Sequence, residues 1–330
     1  MDFDLNDEQK QIKQVAHDLL ADRSPFGKVR EAAEAGEYDP GLWSELVELG
    51  WPGIAVSSQH GGQDLGMVEL AVLLEELGYA CAATPFFSTA TAAAVIEATG
   101  SEEQRGRWLP ALASGEATAG IGSRGLAADA SDAAVIILLD GDEASLVERS
   151  AAQVEPLVSI DPTRRFATVQ GDGEPLGLGA ADRARAALAA EVVGVCQRAL
   201  DMTLEYVKDR KQFGVPVGSF QAVAHRCAQM LLATESARSA AYFAAWAADA
   251  DPDRLPEAGA LAAAGTADAG REVTASAIQA HGGIGFTWEA DVHWLYKRAQ
   301  LDSALLGGAR RHRAVLARLG AARVSGVAAN

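Results

Sequence analysis

The sequence has few cysteines, no block of basic residues and no long uncharged apolar run, and each absence excludes a class of protein. Its three cysteines, Cys81, Cys196 and Cys227, are widely spaced, odd in number and set in apolar helical contexts. We therefore expect reduced core residues, without a disulfide framework or a metal site. Because 45 acidic residues outweigh 28 basic ones, the net charge is −17, and nucleic acids and anionic membranes are poor partners.

Membrane insertion and secretion are also disfavoured. No uncharged apolar run reaches the roughly 18 residues that a membrane-spanning helix needs. The first residues, Met1 to Leu5, are acidic rather than cationic, which argues against a signal peptide. We predict a cytoplasmic protein without a membrane span.

What the chain has in abundance is alanine, while β-branched residues are sparse outside its middle, so a mainly helical fold is expected. Helical periodicity predicts helices over residues 5–22, 40–50, 68–78, 87–99, 102–113, 182–209, 219–249, 257–281 and 288–318. Apolar runs around the turn signal Asp140-Gly141-Asp142 predict strands over residues 134–139, 144–147 and 165–169. The predicted domains are an N-terminal helical domain (1–119), a small β domain (120–179) and a C-terminal four-helix bundle (180–330).

The stretch from Asp209 to Gln221 marks a corner between two of these long helices, broken by Gly214 and Pro216. It gathers two cations, an aromatic ring and an amide. The arginine can donate two parallel hydrogen bonds to a phosphate, the phenylalanine can cover a flat ring, and the glutamine can hydrogen-bond to the polar edges of a ring. A structural explanation is also open: the cations complement a helix dipole, and Phe213 packs into the bundle.

This stretch resembles a signature of the acyl-CoA dehydrogenase family, Arg-Lys-Gln-Phe-Gly-x-Pro-x-x-x-Phe-Gln. A second match is the run from Gln279 to Thr287, Gln-Ala-His-Gly-Gly-Ile-Gly-Phe-Thr. A third is spread through the N-terminal third, at residues 43–54, 60–62, 65–66, 75–78 and 104–110. The three matches follow the family's order and cover most of the chain outside residues 120–180.

The resemblance implies the family's fold and an FAD-dependent reaction on an acyl-CoA thioester, with electrons passed on to an electron-accepting flavoprotein. In such a reaction a carboxylate removes the α-proton while the flavin takes a hydride from the β-carbon. The family places its cofactor at a subunit interface, where the neighbouring subunit contacts the diphosphate and adenosine. Carried over position by position, Arg210 pairs with the diphosphate, Phe213 and Gln221 contact the adenosine side, and Gln279 and Gly283 meet the diphosphate. A helix C-cap explains the glycine pair equally well.

The catalytic glutamate of the family is missing. One branch places it in a Glu-Gly-Thr stretch, which corresponds here to Leu306-Gly307-Gly308. A second branch places it at the position of Ala250, which Asp249 and Asp251 flank. These two aspartates are candidate bases, although acidic residues at a helix end explain them as well.

The β domain departs from the family too. The threonine-glutamate-proline and glycine-serine-aspartate segment that lines the flavin is replaced by the run from Gly120 to Gly125. The chain has lost the residues that a subunit needs to hold its own flavin. It keeps the residues that a subunit contributes to the flavin site of its neighbour. The chain thus resembles the shortened, glutamate-lacking subunit of heteromeric α2β2 bacterial acyl-CoA dehydrogenases, some of which act on steroid side chains.

Three functions are open at this point. The first is a non-catalytic subunit that completes the FAD site of a glutamate-bearing partner. The second is a self-sufficient flavoenzyme of the same fold, using Asp249 or Asp251 as base on an acyl-CoA or a nitroalkane-like substrate. The third is a structural or regulatory protein that binds neither flavin nor acyl-CoA.

Overall fold

A computed structural model describes residues 4–325 of the chain. The N-terminal part is helical, with six helices and two short 3-10 turns at Trp51–Gly53 and Ser58–His60. The helices are α1 (Asp7–Arg23), α2 (Phe26–Ala35), α3 (Pro40–Glu48), α4 (Met67–Tyr79), α5 (Phe86–Thr99) and α6 (Glu102–Ala113). At the start of the first helix, Asn6 and Gln9 form a reciprocal capping box.

Helix α2 was not predicted from the sequence. It is only ten residues long, has two buried side chains, Val29 and Ala33, and has no side-chain cap, so its local signals are few. Tertiary packing of these two residues stabilises it rather than local propensity. Trp108 of α6 is partly buried at the edge of the core, where the Arg107 guanidinium lies over the indole ring.

The middle of the chain forms one seven-stranded sheet in the order β5-β6-β2-β1-β3-β4-β7. The strands are β1 (Ala119–Ser123), β2 (Leu126–Ala128), β3 (Val135–Asp140), β4 (Glu143–Glu148), β5 (Gln153–Leu157), β6 (Phe166–Gln170) and β7 (Glu174–Pro175). Only β1 and β3 pair in parallel; the other neighbours are antiparallel. The predicted hairpin at Asp140 and Gly141 is confirmed, since Asp140 pairs with Glu143 across the turn.

The C-terminal part returns to helices, as predicted. They are α7 (Ala180–Asp209), α8 (Gln221–Ala250), α9 (Leu255–His281), α10 (Val292–Leu305) and α11 (Gly308–Ser325). Helix α7 is the centre of the molecule, because it packs against α4 on one side and against α8 and α9 on the other. At Gly194 its backbone lies so close to α4 that an added Cβ would sit 1.8 Å from the Glu75 carbonyl oxygen, so only glycine fits there.

The single last helix predicted over residues 288–318 is wrong. Helix α10 ends at Leu305, and α11 starts three residues later. Between them Gly307 and Gly308 adopt φ angles of 118° and 69°, which an L-residue side chain disfavours. The helical periodicity of the sequence continues across this break and therefore predicted one helix, although the glycine pair indicated an interruption.

The interior agrees with the compositional expectations. All three cysteines are buried free thiols, and burial raises the pKa of Cys81 and Cys196 to about 12. Between residues 4 and 325 we find no helix that combines the length and the apolar character of a membrane span. The mainly helical fold with one small sheet domain is thus confirmed.

Candidate functional site

The corner predicted between two helices is a short hairpin. Helix α7 ends at Asp209, and strands β8 (Lys211–Gln212) and β9 (Val215–Pro216) pair before α8 begins at Gln221. The two turn residues, Phe213 and Gly214, have φ angles of 53° and 84°, the combination of a type I′ turn. Phenylalanine in this left-handed region costs about 1 kcal/mol, and such strain tends to persist where function requires it.

The strained turn holds the Phe213 ring outward. Its side chain is 93% exposed and touches only the edge of Phe220, with the ring centroids 6.2 Å apart. Packing of Phe213 into the bundle is therefore excluded. Within the described part of the chain, the Arg210 guanidinium forms no ion pair and no hydrogen bond, so its donors are available to a ligand.

The second glycine motif lies at the end of α9. Gln279 is exposed in the last turn, and Gly282 ends the helix with a φ of 66°, so the C-cap explanation holds for Gly282. The C-cap explanation does not account for Gly283. A Cβ atom built at Gly283 would meet no atom within 4 Å, so packing within the chain does not require glycine there. The Gly283 backbone is open to a ligand that approaches from outside.

A buried histidine joins the two motifs. The His281 ring stacks on Tyr206 of α7, with centroids 4.4 Å apart, and its Nδ1 lies 2.8 Å from the Ala277 carbonyl oxygen. Burial lowers the pKa of His281, so the ring is neutral at pH 7. His281, Tyr206 and Arg210 line one shallow cavity of about 470 Å³. The fold thus brings the Arg210 motif and the glycine motif to one face, which we call the corner (residues 210–221 and 279–286).

The corner suits the diphosphate and adenosine portion of a flavin dinucleotide. It presents a free guanidinium for phosphate oxygens, an outward aromatic ring for a flat base, and two exposed amides, those of Gln221 and Gln279. All five residues singled out in the sequence, Arg210, Phe213, Gln221, Gln279 and Gly283, are exposed. Their open side faces away from the chain, so a dinucleotide here would still need a second wall.

The two positions that the resemblance assigns to a catalytic glutamate carry no titratable group. Leu306 is 3% exposed and lines a cavity of only about 20 Å³ together with Asp302 and His312. Burial, followed by the charges of Arg185 and Arg311, lowers the pKa of His312 to about 4. Ala250 is the exposed last residue of α8.

The candidate base Asp249 is engaged elsewhere. Its two carboxylate oxygens accept the backbone N–H groups of Met67 at 2.9 Å and Val68 at 3.2 Å, so it caps the first turn of α4. Burial raises the pKa of Asp249, although these two hydrogen bonds oppose the shift. At about 1.5 Å per residue, Asp249 lies roughly 40 Å along α8 from Gln221. Asp251, just beyond the helix, is partly exposed.

Between the sheet and the bundle lies a buried ion network that sequence reasoning missed. The network, which we call the seam, consists of Asp161, Arg164, Glu191, Arg298 and Asp302. Arg164 reaches Glu191 at 2.5 Å and Asp302 at 2.6 Å, and Arg298 reaches Asp161 at 2.7 Å and Glu191 at 2.8 Å. All five side chains are at most 4% exposed.

The seam carries one more carboxylate than guanidinium groups. The second oxygens of Glu191 and Asp302 find no hydrogen-bond partner among residues 4–325. Burial, with Glu191 adding to it, raises the pKa of Asp302 to about 7 despite the opposing charges of Arg164 and Arg298. The seam connects the loop before β6 to α7 and α10 and fills the space between the sheet and the bundle.

Comparisons with known proteins agree with this architecture. Residues 6–116 match the profile described as "Acyl-CoA dehydrogenase, N-terminal domain", and residues 171–320 match "Acyl-CoA dehydrogenase, C-terminal domain". A relative from Mycolicibacterium smegmatis, "Acyl-CoA dehydrogenase IpdE2", is 34% identical over 93% of this chain and 96% of its own. The protein belongs to the acyl-CoA dehydrogenase family, whose members are FAD-dependent oxidoreductases acting on acyl-CoA.

Solved structures share the fold over nearly the whole chain. A variant of the "Tcur3481-Tcur3483 steroid ACAD" superposes with a TM-score of 0.87 at 27% identity, covering 96% of this chain and 99% of that one. The "ChsE4-ChsE5 complex from Mycobacterium tuberculosis" gives 0.85 at 23% identity, covering 98% and 99%. At that identity the second likeness supports the fold alone.

Proposed function

We propose that this chain is the non-catalytic subunit of a heteromeric, FAD-dependent acyl-CoA dehydrogenase. It contributes its corner to the flavin site of a partner subunit that carries the catalytic glutamate. The observation that carries this proposal is the contrast between the exposed corner and the buried Leu306. The chain keeps the groups that reach toward a neighbour's cofactor and lacks the carboxylate that starts the chemistry.

Exposed aromatic and aliphatic residues around the corner support a partner that covers it. Besides Phe213, the side chains of Phe286 and Trp288 are 75% and 70% exposed. Large exposed apolar side chains mark interaction surfaces when they cluster. On the outer side of α8, Leu231 and Leu232 are 50% and 61% exposed and extend the same kind of surface. A partner docked here would also supply the second wall that a dinucleotide needs.

The name of one structural relative favours a two-component enzyme and a bulky substrate. The "Tcur3481-Tcur3483 steroid ACAD" is named for two proteins and for a steroid. We therefore place the substrate of the complex among acyl-CoA thioesters of steroid type. The electron acceptor in this proposal is a flavoprotein that takes electrons from the reduced FAD of the complex, as the family resemblance implies.

A self-sufficient enzyme with Asp249 as its base finds no support in the geometry. Both oxygens of that carboxylate already accept backbone N–H groups at the start of α4, so they are engaged in capping that helix. This observation favours the heteromeric function.

The test is flavin content. The chain is purified alone and together with a glutamate-bearing family member, and flavin absorbance is measured per chain. We expect a colourless chain alone and a yellow complex with about one flavin for each pair of unlike chains. Stoichiometric FAD on the chain alone, or a partner that binds flavin and turns over equally well without it, would overturn the proposal.

Arg210→Gln sharpens the test. Loss of a charge-assisted phosphate contact weakens flavin binding by about tenfold or more, without loss of complex formation. Lys10→Gln is the matched control, because Lys10 lies on α1 in an exposed pair with Asp7. The affinity is read from flavin release during dilution of each complex.

A further inference from the structure

A small cavity lies inside the C-terminal bundle, beside the break between α10 and α11. Helices α7, α9, α10 and α11 each contribute to its wall, and its volume is about 20 Å³. Much of the wall is apolar, with side chains such as Leu188 and Leu306. Three ionisable side chains, those of Arg185, Asp302 and His312, also line it, and each is at most 3% exposed.

Each of these three side chains keeps one buried polar atom that finds no hydrogen-bond partner among residues 4–325. The atoms are Arg185 Nε, Asp302 Oδ2 and His312 Nδ1. Both terminal nitrogens of the Arg185 guanidinium already donate, to Asp182 and to the Gly141 carbonyl oxygen. The other oxygen of Asp302, Oδ1, accepts from the seam at 2.6 Å. Because a buried polar atom without a partner is costly, three of them around one cavity point to a shared ligand.

The His312 ring offers a lone pair rather than a proton to this cavity. Burial lowers the pKa of His312 to about 4, so the ring is neutral at pH 7. Its Nε2 lies beside the break, 3.4 Å from a Cβ built at Gly307, and a hydrogen bond joins the ring to the Leu306 backbone. A proton on Nε2 serves that bond and leaves Nδ1 as an acceptor.

The two hydroxyl groups in the wall do not satisfy these atoms. The hydroxyls of Thr266 and Ser303 each donate at 2.8 Å to a backbone carbonyl oxygen of their own helix. The cavity therefore presents one free donor, the Arg185 Nε–H group. It presents two free acceptors, Asp302 Oδ2 and His312 Nδ1.

One donor and two acceptors match a single water molecule, since a buried water typically makes about three hydrogen bonds. The cavity, at about 20 Å³, has room for one water, which needs roughly 10–15 Å³. A hard cation is a poor fit, because calcium or magnesium takes about six or more oxygen ligands and only one carboxylate lines the wall. An anion would lie against that same carboxylate, so water is the ligand that the wall favours.

We propose that one ordered water molecule occupies this cavity and bridges Arg185, Asp302 and His312. Through Asp302 it reaches the seam, and through His312 it reaches α11 on the far side of the break at Gly307. The water fits either form of Asp302, because it can donate to a carboxylate or turn to accept from a carboxyl O–H group. The break between α10 and α11 is thus spanned by a polar contact that the side chains do not make directly. This inference does not depend on the proposed function.

The test is a high-resolution crystal structure of the full chain, together with magnetic relaxation dispersion of water oxygen, which counts long-lived internal waters in solution. We expect one water peak within about 2.7–3.2 Å of Arg185 Nε, Asp302 Oδ2 and His312 Nδ1. No peak in the cavity, or direct contacts among the three side chains in its place, would overturn the proposal. A peak with contacts of about 2.4 Å or less would identify a metal cation and overturn it as well.

Two variants of matched shape isolate the polar contact. His312→Asn keeps an acceptor oxygen near the position of Nδ1, whereas His312→Leu has a similar shape and no polar atom. We expect the bridging water in His312→Asn and its loss in His312→Leu, where relaxation dispersion counts one long-lived water fewer than in the unchanged chain. His225→Leu is the control, because His225 is exposed on α8 and does not line the cavity. A water retained in His312→Leu, or an equal fall in His225→Leu, would refute the bridge.

Discussion

The arginine at the corner and the arginines at the seam have the same side chain in opposite surroundings. Arg298 and Arg164 are buried and bonded to carboxylates on three parts of the chain. Arg210 is exposed at the end of α7, with no carboxylate partner in residues 4–325. A paired, buried arginine fixes the fold, whereas an unpaired, exposed one is available to a ligand. The difference separates charges that hold the fold together from a charge that is available for binding.

Breaking the seam should have the largest effect. Arg298→Met leaves Asp161 buried without its guanidinium partner and leaves Glu191 with Arg164 alone, and this costs about 3–5 kcal/mol in the free energy of unfolding. Urea denaturation followed by circular dichroism measures it. Arg323→Gln is the control, because the exposed pair with Glu257 contributes about 0–1 kcal/mol. A loss below about 1 kcal/mol in Arg298→Met would show that the seam is not structural.

The excess carboxylate of the seam predicts a pH effect. Burial raises the pKa of Asp302 to about 7, so the folded chain holds a proton that the unfolded chain releases near pH 4. The resulting stabilisation is complete below about pH 4 and is lost as the pH rises through about 7.

Asp302→Asn mimics the protonated form at every pH. The melting temperature of the variant relative to the unchanged chain should therefore rise between pH 5 and pH 8, by a few degrees. Asp132→Asn is the control, since Asp132 is largely exposed beside Arg165. A difference for Asp302→Asn that does not change with pH would contradict the raised pKa.

The smallest expected effect is at the corner turn. Phe213→Asn places a residue that tolerates the left-handed region at a φ of 53°, and stability rises by up to about 1 kcal/mol. Flavin retention by the complex falls at the same time, because the exposed ring is lost. Gly214→Ala in the same turn should lower stability instead. If Phe213→Asn changed neither stability nor flavin retention, the strained conformation of this turn would have no role in flavin binding.

The sequence predicted most of the helices and the corner, because both have local signals. Apolar periodicity marked the long helices, and the glycine and proline residues after Asp209 marked the corner between α7 and α8. The hairpin β8–β9 inside that corner was not predicted, since two-residue strands have too little pattern to detect. The domain boundaries and the roles of the five corner residues stay predictions.

The seam could not have been found from the sequence. Arg164, Glu191 and Arg298 are far apart along the chain, so no local sequence pattern links them. Only the packing of the β6-side loop against α7 and α10 brings them together. The break at Gly307 was detectable in principle, but the helical periodicity on both sides outweighed it.

The break between α10 and α11 at Gly307 also bears on the evolution of the chain. Replacing Leu306 by glutamate would place a carboxylate at the position that the family resemblance assigns to a catalytic glutamate. The new carboxylate would enter a space of about 20 Å³ beside Asp302, where burial of a further negative charge is costly. The glycines that follow fix a backbone path which ordinary residues disfavour. Under the proposed function, a catalytic carboxylate at this position therefore requires several coordinated changes, so a division of labour between two subunits would be difficult for evolution to reverse.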